Sequence, residues 1–179
     1  TSKRYFHARK RTFVTDMGAK EAMDISTQSK TPFDRIIKNL QEREKELNCL
    51  YKVEEILNTT EDVEKAIRSL IQVIPSGYQY PEYCQASIRH VDQEYHSPRF
   101  WPTEWVLRAS FDVEGKSEGE IAVYYREQMP LEYEGPFLKE ERKLLDNIAE
   151  RLGKYILHQR GKKLMDEWQP AKERITRDT

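Results

Sequence analysis

The chain lacks two features that would narrow its function at once: a long apolar run and a charge imbalance. A transmembrane helix needs about 20 consecutive apolar residues, and the 179-residue sequence contains no such run. It shows no signal peptide. Lys and Arg total 30 against 31 Asp and Glu, for a net charge of -1. No overall field therefore favours nucleic acid or an anionic membrane, and we expect a cytoplasmic protein with neither as a partner.

Cysteine is also scarce. Cys49 lies in a predicted helix and Cys84 in a predicted strand, and two cysteines make no disulfide framework. A reducing compartment fits this usage. Cys84 lies on the apolar side of its strand, where a thiol is either inert packing or a redox sensor. Gly115-Lys116-Ser117 resembles the end of a P-loop. However, Ser110 stands where that motif requires glycine, and the segment joins two strands.

Residues of the catalytic and metal-binding types do not form recognisable groups. No histidine has zinc-ligand spacing to another histidine or to a cysteine; the four are His7, His90, His96 and His158. His90 and His96 lie on neighbouring predicted strands and could approach each other, or both could be exposed. We therefore predict no catalytic residue, no metal and no cofactor.

A long amphipathic helix is predicted over residues 32–58. Thr31 can cap it, and Pro32 suits its first turn. Its apolar residues recur at spacings of four, seven, three and seven, as in a heptad stripe: Ile36, Leu40, Leu47, Leu50 and Leu57. Two interpretations stay open: a helix packed on its own domain, or a parallel coiled coil in a homodimer. A second helix is predicted to begin near Val63 and to end before Pro75.

Alternating apolar residues predict four mostly antiparallel strands between residues 83 and 125. The first is expected over 84–89, with a turn at Asp92-Gln93 before a second over 94–97. The third is expected over 105–113, and a six-residue loop over 114–119 leads to the fourth over 121–125. A shared core is predicted between this sheet (Ile88, Leu107, Phe111, Ile121 and Val123) and the helices (Ile67, Leu70, Ile148 and Leu152).

The last helix is predicted to open at Gly135-Pro136, with Glu140 and Glu141 near its positive end. It is expected to reach Trp168, end before Pro170 and span roughly 45–50 Å. That length exceeds the sheet, so part of the helix should project or pair with another chain. Together with the first helix it predicts a dimer interface, comprising Ile36, Leu40, Leu47, Leu50, Leu57, Leu152 and Tyr155.

Six aromatic residues crowd the two ends of the predicted sheet: Tyr78, Tyr80, Tyr83, Phe100, Trp101 and Trp105. Two interpretations remain open for them, closure of the core or a pocket that stacks on a ligand. The candidate ligand-binding residues are Tyr80, Tyr83, Trp101 and Trp105.

The sequence divides into four parts. A polar segment over 1–31 precedes the helix over 32–58, and a domain over 59–157 precedes a helical extension over 158–179. The first part carries a basic cluster that is either a solvated tail, or the remnant of an upstream element, or a contact for phosphate or nucleic acid: Lys3, Arg4, Arg9, Lys10 and Arg11. Because the chain starts at Thr1, we expect it to be a piece of a longer protein.

Several segments together resemble a bacterial GAF-like sensor domain over about residues 40–160. They are Glu46-Leu47-Asn48-Cys49-Leu50-Tyr51, Tyr78-Gln79-Tyr80-Pro81-Glu82, Val123-Tyr124-Tyr125, residues 134–142 and residues 148–153. Such domains occur beside phosphoenolpyruvate-synthase-like and pyruvate-phosphate-dikinase-like modules and in sensor histidine kinases. The resemblance implies an α/β (α+β) fold, with an antiparallel sheet, helices on one face and dimerisation through the terminal helices.

One departure from this family concerns the ligand. Members that hold nucleotides, bilins or haem have long insertions between the middle strands, whereas here that connection spans only residues 98–103. A large ligand would have little enclosure. The resemblance therefore implies a non-catalytic regulatory module in signal transduction, coupled to an attached output domain. The alternatives are a structural dimerisation domain without a ligand, and an accessory part of a phosphoenolpyruvate-utilising enzyme.

Overall fold

The computed structural model describes residues 31–177, with side chains up to residue 168. The predicted basic cluster near the N-terminus lies outside these residues. By its contacts the chain divides into two units, Thr1–Ile37 and Lys38–Thr179. Of the first unit, residues 31–37 are described, and they form the cap and first turns of a helix. The second unit contains the rest of the described fold.

The described residues form an α+β fold, as the sequence predicts. Three α-helices and four strands follow in this order: α1 (Pro32–Thr59), α2 (Val63–Val73), β1 (Cys84–His90), β2 (Gln93–His96), β3 (Val106–Val113), β4 (Lys116–Tyr125) and α3 (Lys139–Arg177). Two short 3₁₀ turns, Ile74–Gly77 and Pro81–Tyr83, connect α2 to β1.

The four strands form one antiparallel sheet in the order β2-β1-β4-β3. In this register Ile88 of β1 lies opposite Ile121 of β4, and Leu107 of β3 lies opposite Val123. Because side chains alternate between the faces of a sheet, these apolar residues share one face. This strand order places β1 and β4, which are distant in sequence, side by side at the centre of the sheet.

Both hairpin turns differ from the sequence prediction, the first in position and the second in length. The first occupies Val91-Asp92, one residue earlier than predicted, because His90 already pairs with Gln93. The predicted six-residue loop over 114–119 is wrong, since Val113 pairs directly with Lys116. Glu114 and Gly115 both take positive φ, 53° and 75°, which is the backbone of a two-residue turn that matches strand twist.

Gly119, the second glycine of that segment, is the reason why the loop prediction was too long. Gly119 is not a loop residue but lies within β4, opposite Phe111. A Cβ at this position would come within 2.2 Å of the Phe111 ring and 2.3 Å of the Arg89 carbonyl oxygen. Glycine is therefore needed here for the close approach of an aromatic ring.

The predicted core is confirmed. Helix α2 packs on β1 and β2, and α3 packs mainly on β3. None of the nine predicted core side chains is more than 1% exposed: Ile88, Leu107, Phe111, Ile121, Val123, Ile67, Leu70, Ile148 and Leu152. The sheet face that carries these residues is therefore covered by both helices.

Capping groups fix the starts of the first two helices. The Thr31 hydroxyl accepts from the Asp34 amide at 3.2 Å, and the Asp34 carboxylate accepts from the Thr31 amide at 3.0 Å. This reciprocal pair satisfies two backbone donors. At α2 the Asp62 carboxylate accepts from the Lys65 amide at 3.0 Å. Thr31 is thus confirmed as the cap of α1.

The predicted limits of the last helix are wrong at both ends. Gly135 and Pro136 lie in a tight turn in which Glu134 and Phe137 exchange two backbone hydrogen bonds of 3.0 Å each. The helix therefore starts later, at Lys139. It also continues past Pro170 to Arg177, although proline cannot donate the backbone hydrogen bond that a helix interior expects.

Helix α3 has 39 residues and is about 58 Å long. Its last buried side chain among those described is Ile156, and residues 161–168 are all exposed. The predicted extension over 158–179 thus begins where the core ends. Among the described helices, none is both long and apolar enough to traverse a membrane.

Candidate functional site

The four aromatic residues predicted to bind a ligand lie in different surroundings. Tyr80 and Trp105 are half-buried and pack against the core. The Tyr80 ring meets Tyr125 edge-on, with centroids 5.7 Å apart. In contrast, Tyr83 is 37% exposed and Trp101 is 73% exposed. The structure therefore divides this set into two core residues and two surface residues.

The short connector between β2 and β3 closes the sheet face opposite the helices. The Trp101 amide donates to Gln85 Oε1 at 2.9 Å, and Gln85 Nε2 donates to the Trp101 carbonyl oxygen. Gln85 is fully buried. Phe100 packs edge-on against Tyr124 with centroids 5.2 Å apart. The connector thus covers one end of this face, over β1 and β4, with the Trp101 backbone and the Phe100 ring.

The histidines do not form a pair. His96 lies opposite Ser87 and stacks on Phe100 at 4.5 Å, on the connector side of the sheet. His90 lies against Phe111 on the helix side, with centroids 6.0 Å apart. His158 is exposed. Within residues 31–168, no group of potential ligands has the arrangement of a metal site.

Both thiols are buried and free. Burial raises the pKa of Cys49 to about 11 and holds the pKa of Cys84 well above its usual range. A thiolate is the reactive form of cysteine. At neutral pH these side chains are therefore packing groups, and redox sensing at Cys84 is disfavoured.

The predicted dimer interface is divided between the core and the surface. Leu57, Leu152 and Tyr155 are at most 8% exposed, and Leu50 packs against the same core. These four residues stabilise the fold of the single chain, and the three buried ones are not available to a partner. Ile36, Leu40 and Leu47 are at least 56% exposed. The dimer itself stays a prediction.

Helix α1 carries a second apolar stripe that faces away from the core, which we call the outer stripe. It runs through Leu40, Glu44, Leu47 and Tyr51 at spacings of four, three and four. Leu40 is 65% exposed, Leu47 61% and Tyr51 72%. These positions alternate as d and a in a heptad repeat. The opposite face carries the buried residues Glu46, Cys49, Val53 and Leu57.

The projecting part of α3 carries exposed apolar residues as well. Leu157 is 40% exposed, Leu164 58%, Met165 70% and Trp168 66%. They recur at spacings of seven, one and three, which places them along one side of a helix. Contiguous apolar surface of this kind is characteristic of an interaction site.

Glu141 joins three segments of the fold. Its Oε1 accepts from the Gln79 amide at 2.7 Å and from the Tyr125 hydroxyl at 3.1 Å. Its Oε2 accepts from the Leu138 amide at 2.7 Å, as the third-position glutamate of a helix start commonly does. The side chain is 1% exposed. It therefore ties the start of α3 to the end of β4 and to the chain before β1.

Burial raises the pKa of Glu141 to about 7, and the three hydrogen bonds that it accepts oppose this rise. A carboxyl group in this range could exchange protons at neutral pH. However, its donors are structural groups, and its near-complete burial leaves no room for a substrate. We assign Glu141 a structural role.

A polar cleft of about 380 Å³ lies beside this junction. Its walls come from α1, from Gln79 and from the chain that leads into α3. We call it the Gln79 cleft. Four carboxylates and two cationic groups line it together with Gln79: Glu42, Glu46, Glu132, Glu140, Lys38 and Arg43.

Gln79 is the least satisfied polar residue of this cleft. The residue is 7% exposed. Neither oxygen nor nitrogen of its side-chain amide, Oε1 or Nε2, has a hydrogen-bond partner among the described residues. A buried polar group without a partner costs about 1–3 kcal/mol. The sequence analysis missed Gln79, because a single glutamine between two tyrosines has no periodic or motif signature.

No protein-family model matches the chain, and a search of curated proteins found no match. The function of the chain is therefore argued from its own geometry.

Proposed function

We propose that this chain is a non-catalytic, GAF-like regulatory module that forms a homodimer through its helices and couples a signal to an attached output domain. The observation that carries this proposal is the outer stripe of α1. Leu40, Leu47 and Tyr51 are exposed on a helix whose other face is already buried in the core. Among the residues that the structure describes, this heptad seam thus has no partner.

A second copy of the chain is the occupant that best fits the outer stripe. In a parallel pair of helices the a and d positions face their own counterparts across a two-fold axis, so a heptad stripe is complementary to itself. The exposed apolar residues of α3 add to this surface. Covering both sets in two copies would bury on the order of 1,000 Å², the lower limit for a specific interface.

The alternation of the seam is interrupted at Glu44, which occupies an a position between Leu40 and Leu47. Two such carboxylates would face each other in a parallel dimer, which weakens association. A weakened seam suits a regulatory element, because a switch requires two states that differ by only a few kcal/mol.

The regulatory part of the proposal is supported by helix α3, which connects the core to an exposed segment. Helix α3 packs on the sheet as far as Ile156 and then continues exposed from residue 161. A change in packing near the sheet would move the exposed part of the same helix. Placement in the bacterial cytoplasm, beside a kinase or phosphotransferase output domain, belongs to the same proposal.

Light scattering of the purified chain tests the dimer. We expect a dimer at micromolar concentration, and a monomer with unchanged circular dichroism for Leu47→Glu. Lys52→Glu is the matched control, because it introduces the same residue at an exposed position outside the seam. A monomeric parent chain, or a Leu47→Glu variant that remains dimeric, would reject the proposal.

The second candidate function is a structural dimerisation domain without a nucleotide ligand. It is favoured by the closed connector face, where Gln85 binds the Trp101 backbone. Calorimetric titration with cyclic mononucleotides and cyclic dinucleotides should then show no submillimolar binding. Binding that is lost in a folded Trp105→Ala variant would instead support a nucleotide sensor.

A further inference from the structure

The Gln79 cleft has the size and the wall chemistry of a small-molecule site. Its volume of about 380 Å³ falls within the roughly 300–1,000 Å³ that such sites occupy. No residue of the outer stripe or of the connector lines it, although Arg43 lies beside Leu47 on α1.

The lining of the cleft contains more carboxylates than cationic side chains. Of its carboxylates, Glu42 is the one with a close cation among the described side chains, the Lys45 ammonium at 3.1 Å. Glu132 and Glu140 form no ion pair with any side chain that the structure describes. With Lys38 also in the lining, the four carboxylates exceed the cationic groups Lys38, Arg43 and Lys45 by one negative charge, which favours a ligand with a cationic group.

Glu46 adds a buried carboxylate to this wall. It is 8% exposed, and its only ion pair in the described residues is a long contact of 3.8 Å to Arg43. Burial is the main cause that raises the pKa of Glu46, Arg43 opposes the rise, and Glu140 and Glu42 add to it. A cation bound in the cleft would offset the repulsion from Glu140 and Glu42 on the charged form.

Gln79 supplies the second, independent sign of a ligand. Its backbone is already fixed, because its amide donates to Glu141 at 2.7 Å and its carbonyl oxygen accepts from Lys45 at 3.1 Å. The side chain is not needed to hold the segment. It nevertheless carries a donor and an acceptor that have no partner among the described residues, both buried at the position where Gln79 lines the cleft. A ligand that satisfies both must itself carry a donor and an acceptor.

We propose that the Gln79 cleft binds a basic amino acid, whose cationic groups face the unpaired carboxylates and whose amino-acid end meets Gln79. Lys38 and Arg43 line the same cleft and suit the carboxylate of such a ligand. The proposal does not depend on the dimer, so a monomeric variant with an uncharged residue in the seam, such as Leu47→Asn, should bind equally well. A failed dimer test and a failed binding test are therefore distinguishable.

Titration of the full chain by calorimetry and by amide NMR tests the site with L-arginine and L-lysine as probes. L-citrulline is the matched control, since it has the shape of arginine without the side-chain charge. We expect submillimolar binding of at least one probe, at least tenfold weaker binding of citrulline, and shifts centred on Gln79. Absence of binding by both probes, or equal binding of citrulline, would overturn the proposal.

Two variants locate the binding site. Gln79→Met keeps the length of the side chain and removes its polar atoms, so affinity should fall at least tenfold while the melting temperature is maintained or rises. Glu132→Gln, at an exposed position, should also weaken binding. Glu55→Gln, on an exposed part of α1 outside the cleft, should not. Unchanged affinity in both cleft variants would contradict the assignment.

Discussion

Glu141 and Glu46 are both buried glutamates, but they differ in how many hydrogen bonds and ion pairs their carboxylates accept. Glu141 accepts hydrogen bonds from two backbone amides and one hydroxyl. Glu46 has a single long contact to Arg43 and lines an open cleft. A buried carboxylate that is fully hydrogen-bonded holds a fold together, whereas one that is poorly paired lowers stability and is available to a ligand.

The same contrast separates Gln85 from Gln79. Gln85 uses both ends of its amide on the Trp101 backbone, so it closes the connector face. Gln79 uses neither end. One glutamate and one glutamine thus have partners for their side-chain polar atoms, and one of each does not. Substitutions should lower the free energy of unfolding at the first pair and raise it at the second.

The largest effect is expected at Glu141. Glu141→Leu leaves three donors without an acceptor, those of Gln79, Leu138 and Tyr125. At about 1 kcal/mol or more for each, the free energy of unfolding should fall by roughly 3 kcal/mol or more. Urea denaturation followed by circular dichroism measures this loss. Glu141→Gln, which retains one oxygen acceptor, should lose less, and equal losses would contradict the role of these hydrogen bonds.

The pH dependence of stability should also come from Glu141. Its pKa in the folded chain is about 7, above the usual 4.5, so the folded state binds more protons than the unfolded state between these values. The contribution is fully present below pH 4.5 and is lost as the pH rises through 7. It amounts to at most about 3 kcal/mol. Urea midpoints of the parent and Glu141→Gln from pH 4 to 8 measure it; parallel curves would exclude Glu141 as the source.

The sequence predicted the core well, because alternation and helical periodicity are strong signals of burial. Strand β3 lies within one residue of its prediction, and Phe111 is buried as expected. The heptad stripe was only partly informative. Leu40 and Leu57 belong to one spacing pattern in the sequence, yet the structure exposes the first and buries the second.

The candidate site could not be predicted in the same way. Glu141 looked like an ordinary charge at a helix start, since the sequence does not show that Gln79 and Tyr125 converge on it. The only available signal was its position three residues after Leu138, which matches a reciprocal cap. Contacts between residues 62 positions apart, as for Gln79 and Glu141, are set by the whole fold.

A gain in stability is expected at Gln79, whose side-chain amide has no hydrogen-bond partner among the described residues. Gln79→Met removes a buried amide without partners and keeps an unbranched side chain of similar length. We expect the free energy of unfolding to rise by about 1 kcal/mol, measured in the absence of added amino acids. Gln85→Met is the matched control, and it should be destabilised because Trp101 loses both hydrogen bonds. A loss of stability in both variants would remove the distinction between the two glutamines.

The smallest effect is expected at Glu46. Glu46→Gln keeps the shape of the side chain and removes a buried charge whose nearest cation, Arg43, is 3.8 Å away. Because burial disfavours the charged form, the neutral variant should be more stable by about 0.5 kcal/mol at pH 8. The gain should disappear at pH 4, where the parent carboxyl is itself largely protonated, since the raised pKa of Glu46 keeps it neutral at low pH. Thermal unfolding at both pH values measures the difference, and a loss at pH 8 would show that the long contact to Arg43 stabilises the fold and that Glu46 belongs with Glu141.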